Sequence, residues 1–521
     1  MEENKKHPPL LLETVSKWLV RSFRIWKMPF LTSLIWGMLA YMFAFTNKLI
    51  NHDEAGQLFG KGATVDSGRW GLGFLDTIFP NVSMPWIYGV ITVVLIAISI
   101  CLILHLFSIR SRVLQVLLSG SIMVFPSLIG VFGYMFTSSS YGLSFLLAVV
   151  AVWLVCRDNK WLLLPALCCM VASVSIYQSY ISISASLLVL VLIQRLLYDE
   201  EPLAVLKQGI VYVLFLILSL GAYYLATQVV LVIRDVSFND YASDSISFSL
   251  NHILEGIHLA YLNFLRFFSL AYHSLIPTTF SCKLHVLLIV SIAILLILWA
   301  NKQKEPFVFR FLLLLVLIGI LPLAINCMYL ITSESSIHTL VLYSFVAVYI
   351  LAAMLMEYWM QEACFGKLPE LLRRLTLDGM ALALSIIIFI NVYTANTAYL
   401  ALHLRYENAY SFYTALTAQI RQMPEFQEDT KIAVIGDWQS PAFYGDHMEF
   451  TEYLVGVKGF LPSSYSANSF MEYYIGFPAE FVSAEEANAI RQSDEFRNMS
   501  IYPYYGCMDV IDDVIVVKLS E

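Results

Sequence analysis

The sequence predicts a polytopic, mostly α-helical membrane protein carrying a small α/β domain at its C-terminal end. Three observations lead there. Hydrophobic residues make up 59% of the chain and charged ones 13%, mean hydropathy is +0.71, and apolar runs of about 20 residues recur along most of its length. Soluble globular chains are about half apolar and about a quarter charged, so a membrane bundle is the class that fits. The net charge of -8 comes with no basic patch of the kind that nucleic-acid binding needs. Cysteines are scattered, mostly inside apolar runs (Cys101, Cys156, Cys168, Cys169, Cys327), and show no metal-binding spacing.

Taken in order, residues 1–29 interleave Lys17, Arg21, Arg24 and Lys27 with Trp18, Phe23 and Trp26, which predicts a basic amphipathic helix on the cytoplasmic membrane surface. No small-residue cleavage site follows the first apolar run, so that run reads as a retained span. Residues 30–395 form the membrane domain, with about eleven spans at 30–50, 86–107, 112–133, 141–156, 161–177, 180–197, 208–232, 284–300, 311–328, 338–357 and 375–395. Lysine and arginine support this count. With the N-terminus inside, the inner connections are Arg110 to Arg112, Arg157 to Lys160, Arg195 to Lys207, Lys302 to Arg310 and Lys367 to Arg374, all basic. The opposite connections at 134–141 and 178–180 contain no lysine or arginine.

Two longer outer loops remain, 51–85 and 233–283. The second holds an aromatic stretch from Ile257 to Phe268. Counting it as a span would place Lys302 to Glu305 outside, so it is expected as an interfacial or re-entrant helix. Residues 396–521 then emerge outside, with about 18 acidic against about 7 basic residues. Strands are expected at Lys431–Ile435 and Asp513–Lys518 and a helix across Ala484 to Asn498, giving an extracytoplasmic α/β domain.

The polar residues crowd into the first outer loop. Asn51-His52-Asp53-Glu54 ends the first apolar run, and Asp66-Ser67-Gly68-Arg69-Trp70-Gly71 follows closely. Ionisable groups at the end of a span are functional candidates, and a solvated helix end is the bland alternative. Asp53 or Glu54 suits a general base acting on a hydroxyl, with His52 beside them. Arg69 suits a phosphate, which a guanidinium grips through two parallel hydrogen bonds. Asp66 shares its turn, and Trp70 reads first as an interfacial anchor. Tyr177, Gln178 and Tyr180, with Ser173 and Ser175, line the outer ends of two spans and serve either a hydroxylated ligand or helix–helix adhesion, the second being the simpler role. Arg266 is a candidate second phosphate contact. Arg234, Asp235, Asp240, His273, Glu334 and His338 mark the remaining outer loops.

This arrangement resembles the GtrII-like glucosyltransferase family, bacterial membrane proteins of GT-C architecture. The likeness covers about residues 30–400 and is densest over Asn51 to Trp70 and Ser175 to Tyr180. It implies transfer of a glucosyl group from a polyprenyl-phosphate carrier to a cell-surface glycan at the outer face of the plasma membrane. The first-loop acid of GT-C enzymes maps to Asp53, with Glu54 beside it. A separate enzyme that charges the carrier and a flippase that turns it over are implied as partners. No cofactor is implied, although a divalent cation between Asp53 and Glu54 is compatible with the pair. The acidic tail departs from the matched part of the family, and acceptor binding is one role for it. Two rival readings remain: a transporter or flippase of a lipid-linked sugar, and a ligase or polymerase moving whole glycans. Transporters place their polar groups near the bilayer midplane, often in two related halves. Neither feature is visible here.

Overall fold

A computed structural model describes residues 11–60, 62, 64–78, 82–238, 250–267, 279–302, 308–332, 334, 337–362, 366–427, 429–438, 454 and 464–520. Asp240 and His273 lie outside the described residues. Among those described, nine helices are long and apolar enough to cross a membrane: Trp26–Thr46, Pro85–Leu106, Met135–Val155, Gln178–Leu197, Pro202–Arg234, Thr279–Lys302, Val308–Ile325, Thr339–Gln361 and Lys367–Ile420. Each coincides with an expected span.

The other two expected spans take different forms. Residues 112–133 are a pair of helices, Arg112–Met123 and Ser127–Gly133, bent by 52°. Pro126 stands at the break, where its ring and missing N–H oppose a continuous helix. Residues 161–177 form the shorter apolar helix Lys160–Ile176. It is joined to Met135–Val155 by a reciprocal pair of bonds, Ser144 Oγ to the Ser173 carbonyl at 2.8 Å and Ser173 Oγ to the Ser144 carbonyl at 2.7 Å. Such small polar contacts let helices approach closely in an apolar setting.

Burial sorts the bundle into centre and rim. The most apolar window of Thr339–Gln361 is 94% buried, whereas that of Pro202–Arg234 is 22% buried. The first is the central helix, and the second turns most of its surface to the lipid. The basic connections gather at one end of the bundle. Arg310 pairs with Asp199 at 2.6 Å, Lys302 pairs with Glu362, and Arg110, Arg157 and Arg195 line one cavity there.

The aromatic stretch of the second long loop is a helix, Leu250–Phe267, and it is not among the candidate spans. It lies along Cys327–Leu330, where Asn326 Nδ2 donates to the Ala260 carbonyl at 2.9 Å and Tyr261 Oη donates to that of Gly319 at 2.7 Å.

The last membrane helix does not stop at 395. Lys367–Ile420 runs unbroken for 54 residues, about 80 Å at 1.5 Å per residue. Its far end enters the C-terminal domain, where Ala409, Tyr413, Leu416 and Ile420 pack under a four-stranded sheet. The strands are β1 (Lys431–Ile435), β2 (Glu480–Phe481), β3 (Met508–Ile511) and β4 (Val514–Lys518), in the order β2-β1-β4-β3. β1 is parallel to both β2 and β4, and β3–β4 is an antiparallel hairpin turning at Asp512 and Asp513, both left-handed. The helix expected across Ala484 to Asn498 is two short ones, Ala484–Gln492 and Asp494–Asn498, each capped by a serine hydroxyl, that of Ser483 or Ser493.

Candidate active site

The first polar knot is a capped helical turn, His52–Gly56. Asn51 is fully buried. Its Oδ1 accepts from the backbone N–H groups of Asp53 and Glu54 at 3.0 and 2.8 Å, and its Nδ2 donates to the Gly133 carbonyl at 2.8 Å. One side chain thus caps the turn and pins it to the bundle.

The two neighbouring carboxylates have different surroundings. Glu54 has a fully buried side chain that pairs with Lys48 and accepts from Ser83 Oγ, while the Phe136 N–H reaches its other oxygen at 3.3 Å. Asp53 is 40% exposed, with His52 Nε2 at 3.6 Å from its Oδ2. A buried charge held by a cation and two donors is a structural anchor, and a partly exposed carboxylate can meet a substrate.

The C-terminal domain reaches this turn directly. Ser466 Oγ donates to the His52 carbonyl at 2.7 Å. Ile50 and Ala55 belong to the same hydrophobic cluster as Ile432, Phe470 and Ile515. Burial and the nearby Glu54 carboxylate hold the Tyr474 phenol above its ordinary range. The loop and the domain therefore share one core.

The second knot is seated on three helices. Gly68 has φ +74°, a left-handed conformation suited to glycine. Its carbonyl accepts from Tyr223 Oη at 3.0 Å, and Gln178 Nε2 donates to the Ser67 carbonyl at 3.1 Å and to Tyr223 Oη at 3.2 Å. Trp70 Nε1 donates to Thr227 Oγ1 at 3.1 Å, so this indole is tied into the bundle rather than serving only as an interfacial anchor. Gly71 lies against Ser175, whose Oγ would be 2.4 Å from an added Cβ. Gln178 and Ser175 therefore seat the loop, which goes beyond joining two helices.

Arg69 lies over a tyrosine pair. Its Nη1 is 3.5 Å from Tyr141 Oη, and its guanidinium carbon is 5.8 Å from the centre of the Tyr177 ring. Tyr141 and Tyr177 stack at 4.3 Å, and Tyr180 packs edge-on against Tyr177. His338 lies within electrostatic reach of Arg69, and its Nδ1 is buried with no hydrogen-bond partner among the described residues. Beside the knot is a cavity of about 450 Å³ lined by Thr64, Val65, Asp66, Gly73, Arg234 and Val236. Arg234 ends the lipid-facing helix Pro202–Arg234, so this space adjoins the bilayer side of the bundle.

Both knots rest on the start of Met135–Val155. Glu54 is bound at Phe136 and Arg69 at Tyr141, five residues apart or about 7.5 Å of axial rise. Arg266 is on another element: exposed on Leu250–Phe267, it has Nη1 3.4 Å from Asn263 Oδ1. That helix stacks Phe264 and Phe267 on Phe345, at the end of the turn that begins beside His338. Among the described residues, no group of three or more His, Cys, Asp or Glu side chains is placed to hold a metal ion.

Sequence reasoning did not assign roles to Asn51, Lys48, Ser83, Tyr141, Tyr223, Thr227 or Ser466. Only Asn51 carries a local signal, as an Asn ahead of an acidic first turn.

The fold and site define a multi-span membrane protein whose polar groups are built into one end of its helices, beside a lipid-facing wall. The glucosyl transferase GtrII family model matches residues 42–351, more than half of the chain and both knots. The chain belongs to this family and is a membrane glycosyltransferase. The match ends within Thr339–Gln361, and the C-terminal domain lies beyond it. No curated protein and no solved structure matches the chain.

Proposed function

We propose that the protein transfers a glucosyl group from a polyprenyl-phosphate carrier to a glycan acceptor at the outer face of the plasma membrane, with inversion at the anomeric carbon. The observation that carries this reading is that one helix start holds both knots: Glu54 at Phe136 anchors the turn that carries the accessible carboxylate Asp53, and the tyrosine-seated guanidinium of Arg69 meets the same helix at Tyr141. The adjoining cavity at a lipid-facing helix suits a donor whose phosphate stays at headgroup depth while its chain lies in the bilayer.

In the proposed reaction Asp53 accepts the proton of an acceptor hydroxyl as its oxygen attacks the anomeric carbon. The bond to the carrier phosphate breaks on the opposite face, and polyprenyl phosphate leaves with the electron pair. Arg69 offsets charge developing on that phosphate, and Arg234 lines the space through which it enters. Glu54 holds the turn and leaves the proton transfer to Asp53. His52 orients the Asp53 carboxylate. The C-terminal domain braces the turn through Ser466 and presents the acceptor.

The test uses purified protein in nanodiscs, supplied with polyprenyl-phosphate glucose and a surface-glycan extract, with release of free polyprenyl phosphate as the readout. Release that requires the glycan supports the proposal. Movement of intact lipid-linked sugar across a liposome wall with no release would replace it with transport. Release with oligosaccharide-charged carriers only would replace it with glycan ligation.

A further inference from the structure

Three helices that begin near the two knots end together at the opposite end of the bundle. Pro85–Leu106 starts just after the first loop and leads into Arg110. Met135–Val155 starts under Glu54 and Arg69 and leads into Arg157. Gln178–Leu197 starts at the Gln178 clamp and contains Arg195 near its end. The 22 residues of Pro85–Leu106 separate the two ends by about 33 Å, the thickness of a bilayer core.

At that far end lies a cavity of about 520 Å³ lined by Arg110, Arg157, Arg195, His105, Gln194 and Tyr198, among others. Glu200 is the single carboxylate in its lining and stands 3.7 Å from Arg195. A second carboxylate, buried Glu357, lies behind the lining, where it accepts from Gln361 and from the Ser111 N–H, so three guanidinium groups against two carboxylates leave a net positive charge around a concave space. Two of the walls are fixed. Arg157 stacks on the Trp153 ring at 4.1 Å, and Gln194 Nε2 donates to the Phe107 carbonyl at 2.8 Å. Trp161, just past Arg157, is 88% exposed, and Leu164 is 68% exposed. An exposed indole next to exposed leucine marks headgroup depth.

We infer that this cavity binds the phosphate of an anionic phospholipid headgroup in the leaflet opposite the candidate active site. Lipid is favoured over free phosphate because Trp161 and Leu164, exposed on the segment that follows Arg157, put this end of the bundle at the depth where headgroup and acyl chain meet. The site is independent of the proposed transfer reaction, since it shares no residue with it.

The test is native mass spectrometry of the full-length protein in a neutral detergent, with equimolar phosphatidylglycerol and phosphatidylcholine. Wild type is expected to retain phosphatidylglycerol selectively. R110Q is expected to weaken that retention about fivefold, and R110Q/R157Q by about that factor for each arginine removed. Arg374 belongs to another of the basic connections, is paired with Glu370 and is outside the cavity lining, so R374Q is expected to bind as wild type. Unchanged retention in the cavity variants would overturn the inference, as would an equal loss in R374Q. R110Q alone changes one exposed side chain and keeps the test open should the double variant misfold. Inorganic phosphate at millimolar concentration is the second arm. Displacement of the lipid by phosphate, with equal thermal stabilisation, would overturn the lipid as ligand and leave a soluble-phosphate site.

Discussion

Replacing Lys48 with methionine should damage the first loop through Glu54. The Glu54 carboxylate has no exposed side-chain surface, and its partners are the Lys48 ammonium, the Ser83 hydroxyl and the Phe136 N–H. Removing the cation leaves a buried charge with two neutral donors. Breaking a buried pair from one side costs about 3–5 kcal/mol. Because Lys48 is 26% exposed and the two donors remain, the loss should fall near the lower figure, about 3 kcal/mol. Adding Glu54→Gln removes the stranded charge while the amide oxygen still accepts. The double variant should recover to within about 1 kcal/mol of wild type, about 2 kcal/mol better than K48M, and the coupling is that recovery plus the cost of Glu54→Gln alone. Equilibrium unfolding in mixed micelles measures all four corners of the cycle. A double variant no more stable than K48M, or K48M equal to wild type, would refute the assignment of Glu54 as a paired structural anchor.

The other variants probe how the two knots are seated. Gly71→Ala puts a Cβ 2.4 Å from Ser175 Oγ and 2.9 Å from the Ser175 backbone carbon. Overpacking of about 1–3 kcal/mol and a higher KM for donor are expected, read by unfolding and steady-state kinetics. Arg69→Lys keeps the charge but loses the planar fork, so kcat/KM should fall about tenfold or more with little change in stability, where unchanged kinetics would remove Arg69 from the phosphate site. Ser466→Ala deletes the bond to the His52 carbonyl and should cost about 1 kcal/mol. Faster proteolysis of the first loop would reveal it.

Much of the bundle was legible because membrane spans are written in composition. Nine of the expected spans coincide with long apolar helices, and basic connections gather at one end of the bundle. What hydropathy could not show was where a helix ends. Polarity rises at 396 as Lys367–Ile420 leaves the apolar window, yet the chain stays helical through the alanine-rich run to Ile420. The bend at Pro126 has a local cause in the sequence, but hydropathy alone reads 112–133 as a single span. Asp53, Glu54 and Arg69 were visible as ionisable groups at a span end. The division of labour between the two carboxylates was not, because it depends on Lys48, Ser83 and Phe136 meeting Glu54 in three dimensions. The contact between Ser466 and His52, 414 residues apart in sequence, had no local signal, nor did the placing of Ile50 and Ala55 in the core of the C-terminal domain.

The most direct test of the account is turnover of polyprenyl-phosphate glucose by Asp53→Asn beside Glu54→Gln, each checked for folding and donor affinity. Asp53→Asn removes the proton acceptor from a partly exposed position. It should lower kcat by about 100-fold to 10,000-fold with stability and donor binding unchanged. Glu54→Gln should lose stability and lose activity only in step with the folded fraction. Normal turnover in a folded Asp53→Asn protein would contradict the assignment of the base, and so would a folded, stable Glu54→Gln protein with no activity.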